Sequence, residues 1–430
     1  MNRLIRLALV GLLVILTGCS SLPPINSDWL NQILYTPTPA PVKISTAAPH
    51  PTNATDSVTA QPTAENSEPN ILRIWLPPQF NPNTNAPASV LLKQRLADFE
   101  TEHPGLEIDI RIKAETGEAD LLNALSITSM AAPSALPDLI ALPRSGLEAA
   151  AQKGLIRPLE DLSSDLQKPD WYPYARDLGK VDGTVFGLPF AGDAQVIIYR
   201  PELVWIKNWD SILLSESHLV FAGADPQAQV GLALYVSAGG DLLDSQGKPT
   251  LDQDILTRVL ELISKGRSAM IFPDSVENIA VEDQVMQEYR AHRSDMVIAH
   301  YSGFRSSQDG LLQPLMGLDE EHLTFATGWV WALAGVDTAK QQLSLELAEY
   351  LTADDFLAKW IDATGYLPTR PSAINSKDKE SVTAIIDAAK LVPSEDILVT
   401  LGPLMQEAIV RVLNGEQPQP VARSVIQKLK

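Results

Sequence analysis

A chain of 430 residues is too long for one compact core, which points to two lobes or domains. Acidic residues outnumber basic ones by 53 to 33, a formal net charge of −20, which argues against a nucleic-acid partner and against electrostatic docking on an anionic membrane. A single cysteine excludes an intrachain disulfide.

Arg3 and Arg6 form a basic leader, and Leu7 to Leu16 is an apolar run too short for an ordinary spanning helix. Leu16-Thr17-Gly18-Cys19 then matches the bacterial lipobox, in which the cysteine becomes the lipidated first residue after cleavage. The expectation is a signal peptide over 1–19 and a lipoprotein held at Cys19 on the extracytoplasmic face of a bacterial membrane. Two acyl chains are needed for that, because one gives only marginal binding. A plain secretory signal with an incidental cysteine is the alternative. Residues 20–70 are rich in Pro, Thr, Ala, Ser and Asn and cannot bury enough surface to offset their ordering entropy. They read as a disordered tether of roughly 3 Å per residue, on the order of 100 Å in all.

The folded body begins at Ile71. Leu72, Ile74 and Leu76 alternate with Arg73 and Trp75, a strand pattern ended by Pro77-Pro78. Ser89 to Glu102 places Leu92, Leu96 and Phe99 on one helical face, and His103-Pro104-Gly105 stops it. Leu106 to Lys113 alternates as a second strand. A helix over Glu118 to Met130, a short strand over Asp138 to Leu142 and a helix over Arg144 to Lys153 follow. Strands and helices in alternation predict an α/β fold with a parallel sheet covered on both faces.

Asp182-Gly183 reads as a tight turn. Val185 to Pro189 and Ala194 to Tyr199 read as two strands meeting at a polar break, Ala191-Gly192-Asp193. That break is either an ordinary loop or a hinge between two lobes with a ligand-facing Asp193. Further on, Asp252 to Lys265, Leu343 to Leu351 and Asp354 to Thr364 are helical, as are Ser381 to Ala389, Pro403 to Asn414 and Val421 to Lys430.

The stretch Val181 to Leu203 resembles the crossover strand of bacterial extracellular solute-binding proteins of the sugar-binding type. Asp182, Gly183, Gly187, Pro189, Asp193 and Tyr199 carry the match, while Arg200 stands where asparagine is usual. The resemblance runs from Ile71 to the C-terminus. It includes Phe99-Glu100 with His103-Pro104-Gly105, Pro137-Asp138, Gly154 to Leu159, Asn208-Trp209-Asp210, Ser237 to Asp241, Gly328 to Ala334 and Gly365 to Arg370. Ser294-Asp295 departs from the Gly and Lys of the family pattern.

The resemblance implies a two-lobe, type II-like periplasmic-binding-protein fold with three interlobe crossings. Each lobe would be a mostly parallel sheet flanked by helices. The expected division joins 71–191 with about 328–362 as the N-terminal lobe and 192–327 with about 363–430 as the C-terminal lobe. It also implies the substrate-binding lipoprotein of an ABC importer: a monomer that closes on a neutral carbohydrate and presents it to an ABC permease, with no cofactor and no metal. Such a site pairs flat aromatic faces with groups that take hydroxyls. Asp193 and Tyr301 lead the candidates, because the family places an acid at this crossing and an aromatic at the position of Tyr301. Trp329, Trp331, Trp75, Tyr235 and Tyr366 follow.

No Gly-x-Ser-x-Gly elbow, P-loop, His-Glu-x-x-His or metal-spaced cysteine set is present, which disfavours an enzyme. A polyamine, peptide or other solute, or a role as a surface sensor, are the alternatives.

Overall fold

A computed structural model describes residues 70–159, 163, 165–305, 310–319, 321–374 and 379–429. The leader, Cys19 and all of the expected tether but Asn70 lie outside the described residues.

The chain first winds an α/β layer. β1 (Asn70–Leu76) leads to α1 (Pro87–Glu102), β2 (Leu106–Ile112), α2 (Leu121–Ala131), β3 (Leu139–Pro143) and α3 (Arg144–Gln152). β1 lies between β2 and β3 and is parallel to both, as right-handed strand–helix–strand crossovers require. Leu72, Ile74 and Leu76 are buried, as their alternation predicts. Trp75 is buried as well, since helices cover both faces of a parallel sheet. α4 (Pro173–Leu178) precedes a small hairpin, β4 (Lys180–Val181) and β5 (Thr184–Val185). Asp182 and Gly183 at its tip have φ of 50° and 83°, the left-handed pair that a tight primed turn needs.

The next element differs from the sequence expectation. In place of two strands and a break there is one strand, β6 (Gly187–Tyr199), 13 residues long and buried throughout. The chain continues through α5 (Trp209–Leu213), β7 (Leu219–Val220), α6 (Gln229–Ser237), α7 (Gln253–Ser268), α8 (Glu282–Arg290), β8 (Met296–His300), α9 (Tyr301–Arg305), β9 (Leu311–Pro314) and β10 (Thr324–Leu333). Residues 187–194 of β6 pair with β10, and residues 195–199 pair with β8 and β9, all antiparallel. β6 therefore belongs to both halves of the molecule.

Two local features keep β6 continuous. Pro189 has no N–H to give, and the ladder shifts register between Trp329 and Val330 of β10, which leaves Phe190 as the extra residue. Gly192 then exchanges two hydrogen bonds with Leu367, its N–H to the Leu367 carbonyl at 2.9 Å and the Leu367 N–H to its own carbonyl at 2.7 Å.

Leu367 lies beyond α10 (Thr338–Leu351) and α11 (Asp354–Thr364). Its segment is the third crossing, after β6 and β10. The Tyr174 hydroxyl donates to the Pro368 carbonyl at 2.7 Å, and the buried Arg370 pairs with Asp165 and lies over the Trp171 ring. α12 (Lys379–Asp387), β11 (Ala389–Leu391), α13 (Glu395–Leu413) and α14 (Pro418–Leu429) complete the chain.

α13 begins eight residues before the expected start at Pro403. The proline is inside the helix, where burial of Leu398, Leu401 and Met405 on one side outweighs the lost hydrogen bond. The sheet runs β2-β1-β3-β10-β6-β8-β7. Pairs among the early strands, and β7 with β8, are parallel, and the crossing strands run against them.

A Cβ at Gly192 would lie 2.1 Å from the Tyr174 hydroxyl. Gly192→Ala is therefore expected to destabilise the protein by roughly 1–3 kcal/mol through overpacking, read as a lower midpoint in urea unfolding. An unchanged midpoint would show that the crossing tolerates displacement of Tyr174.

Candidate ligand-binding cleft

A cavity of about 260 Å³ opens where the chain leaves β2 and β3. Glu115 and Asp120 follow β2; Leu142 and Pro143 end β3; Ser145 and Gly146 open α3; Trp329 comes from β10 and Glu395 from the first residue of α13. The carboxyl ends of parallel strands are where open α/β sheets accept ligands. The walls combine α3, which packs on β3 and β10, with α13, which packs on α6, α7 and α14. A smaller cavity of about 90 Å³ adjoins it through Ser145 and Glu395 and is also lined by Arg144, Glu148, Gln227, Gln229 and Thr327. Across this gap the Glu395 N–H donates to Glu148 Oε2 at 3.0 Å. Glu148 also lies 2.6 Å from Arg144, whose guanidinium donates to the carbonyls of Asp177 and Leu178. Burial, then the charges of Glu148 and Asp396, push the Glu395 carboxyl above the usual range.

An aromatic cluster backs the larger cavity. Phe80 meets Trp329, Phe190, Trp360 and Tyr366 with ring centroids 5.2–5.6 Å apart. Tyr366 is hydrogen-bonded to Trp329 and Gln79, and burial followed by the nearby charges of Asp193 and Glu115 raises its pKa well above the ordinary tyrosine range. Trp329 is thus pinned against Phe80 and Tyr366 and borders the cavity.

Asp193 is buried at the centre of β6. Its Oδ1 accepts the N–H of Ala194 at 2.9 Å and of Ser302 at 3.2 Å, and the Ser302 hydroxyl donates to Oδ2 at 2.5 Å. Burial raises its pKa, an effect partly offset by His300 and Ser302. His300, opposite Gln195 on β8, is hydrogen-bonded to Glu282 of α8. Burial disfavours the imidazolium, but Glu282, Asp193 and Asp225 together outweigh it and push the pKa up to about 9. β8 thus ends in a half-buried histidine whose charged form is favoured by carboxylates from several elements.

Of the expected site residues, Trp329 lines the larger cavity; Tyr366 is bonded to Trp329 and near Asp193, but neither Tyr366 nor Asp193 lines either cavity, and the others are dispersed. Tyr301 is buried at the start of α9 and lines neither cavity. Trp331 stacks on Phe190 at 4.4 Å in the core behind Trp329. Trp75 lies buried beneath the Lys113 ammonium, 4.5 Å from its ring centroid. The Tyr235 hydroxyl accepts the Asp252 N–H at 2.6 Å and donates to the Asp241 carbonyl at 3.3 Å, so it anchors a turn after α6. Trp75 and Trp331 are packed because a strand residue at the sheet centre has neighbours on both faces, while Tyr301 and Tyr235 lie on the buried sides of helices. Glu115, Asp120, Ser145 and Glu395 were absent from the sequence reading. One available signal was position: three of them follow predicted strands or open a helix after one.

Residues 94–386 match the family described as bacterial extracellular solute-binding protein. The chain belongs to this family. A mannitol-binding protein of Pseudomonas aeruginosa is 32% identical over 111 residues, which span 26% of this chain and 24% of that protein. A maltose-bound binding protein of T. maritima aligns with a TM-score of 0.64 at 17% identity, covering 84% of this chain and 98% of that one. A cyclo/maltodextrin-binding protein complexed with maltotetraose aligns with a TM-score of 0.68 at 17% identity, covering 85% of this chain and 97% of that one. At these identities the structural likeness bears on the fold, which is the two-lobe α/β architecture of binding proteins.

In this solute-binding protein the departure at Arg200 has a packing role. Its guanidinium lies 3.9 Å from the Tyr289 ring centroid and donates to the Tyr289 carbonyl at 2.6 Å. Asp295, the other departure, accepts the His218 N–H at 3.1 Å. The family is an extracytoplasmic one, and among the described residues no helix is long and apolar enough to cross a membrane.

The raised pKa of His300 has a pH consequence. A histidine raised from 6.5 in the unfolded chain to about 9 when folded stabilises the fold fully below pH 6.5, and that contribution disappears as pH climbs through 9. Urea midpoints of the solute-binding protein are expected to fall between pH 7 and 10, with a flatter profile in His300→Gln. Parallel profiles for the two proteins would remove His300 as the cause.

Proposed function

We propose that this protein is the substrate-binding lipoprotein of an ABC importer and captures a carbohydrate by closing two lobes around it. The observation that carries the reading is the cavity between β3, α3, β10 and α13, in which a fixed tryptophan faces carboxylates and a serine hydroxyl. Tryptophan offers an apolar surface to the C–H face of a sugar ring, and carboxylates accept from its hydroxyls. Sugar ligands in the two structural neighbours, and mannitol in the name of the curated relative, support the same reading.

In the proposed site Trp329 is the stacking surface, and Glu115, Asp120, Ser145 and Glu395 take hydroxyls. Asp193 acts as a pin that holds α9 to the hinge strand. Residues 71–191 with about 328–362 would move against 192–327 with about 363–430. Ligand favours the closed state by the contacts that closure adds, and an ABC permease reads that state. Lipid on Cys19 would keep the protein beside the permease on the outer face of the membrane, the tether giving it reach.

A thermal-shift screen of the purified protein against sugars, sugar alcohols, polyamines, amino acids and metals tests this. A ligand at 100 times its dissociation constant adds about 2.7 kcal/mol. A sugar hit that is lost in Trp329→Ala and weakened in Asp120→Asn, which keeps the cap of α2, is the expected result. A polyamine, amino-acid or metal hit with no sugar hit would overturn the substrate class.

A further inference from the structure

Resting on that reading, we propose that the cavity takes a single-ring sugar or sugar alcohol that carries a protonated amine. Size is the first observation. At about 260 Å³ the cavity lies below the roughly 300 Å³ at which pockets for drug-sized ligands begin. One ring fills it; the several rings of a dextrin do not.

Charge is the second observation. The sequence offers a single site acid, Asp193, and the family resemblance implies a neutral ligand. The fold instead collects Glu115, Asp120 and Glu395 around the cavity, and the described residues lining it include no lysine, arginine or histidine. Arg144 stands next to it on α3 but is already neutralised by Glu148 and held by backbone carbonyls. The carboxyls of Glu115, Asp120 and Glu395 therefore have no cation among the described lining residues to offset them.

A ligand ammonium supplies the missing charge and three N–H donors to groups that only accept. Trp329 adds an aromatic surface, which attracts cations as well as C–H faces. A uronate or sugar phosphate brings acceptors and like charge to the same wall and is rejected.

Titration calorimetry on the full protein with matched sets tests this: each hexose or hexitol beside its amino-deoxy and uronic counterparts, at low and high salt. The amine form is expected to bind about tenfold tighter than its neutral parent at low salt, with the ratio shrinking as salt rises. The uronic form should give no heat. Glu115→Gln and Glu395→Gln should bring the amine-to-neutral ratio towards one, with melting temperatures unchanged in the absence of ligand. A neutral sugar that binds as tightly as its amine, or a preference for chains of three or more rings, overturns this inference and leaves the carbohydrate reading standing. Absence of heat from every sugar overturns both.

Discussion

The ladder that β6 shares with two sets of partners is the constraint on which the molecule depends. One end of the strand is tied to β10, the other to β8 and β9. A buried strand cannot slip by one residue without turning every side chain to the other face, so the register of β6 fixes how the two halves meet. The bulge at Phe190 accommodates the N–H that Pro189 lacks, and the paired bonds between Gly192 and Leu367 and the Asp193 carboxylate on Ser302 satisfy polar groups that burial would otherwise leave unpaired.

The cleft follows from the same frame. β3 delivers Pro143 and the first turn of α3 beside Trp329 on β10, because the two strands pair directly with Trp329 opposite Pro143. α13 touches α3 through the Glu395 N–H on Glu148. The acidic wall and the His300 cluster differ in how carboxylates are balanced. Beside β6, carboxylates from several elements favour the charged form of half-buried His300; at the larger cavity, the described lining residues that carry charge are carboxylates alone.

Much of the fold was legible in the sequence because its signals are local. The alternation in Leu72 to Leu76 and Leu106 to Ile112, the helical stop at His103-Pro104-Gly105 and the tight turn at Asp182-Gly183 each act within a few residues. The site was less legible because an aromatic residue has the same local pattern whether it packs or binds. Trp329 and Trp331 lie on one strand two positions apart. One borders the cavity and the other stacks on Phe190, and that difference comes from partners far away in the chain.

The sequence by itself determined the alternation of strands and helices, the positions of turns and caps, and, through ordered short motifs, the family. These rest on interactions between near neighbours. Only the tertiary structure decided that Gly187 to Tyr199 is one strand, that Pro403 lies within a helix, and that Glu115, Asp120 and Glu395 share a wall. The physical reason is common to all three. Each depends on contacts between segments far apart in sequence, where burial and hydrogen bonding outweigh the local preference of proline, glycine or an isolated carboxylate.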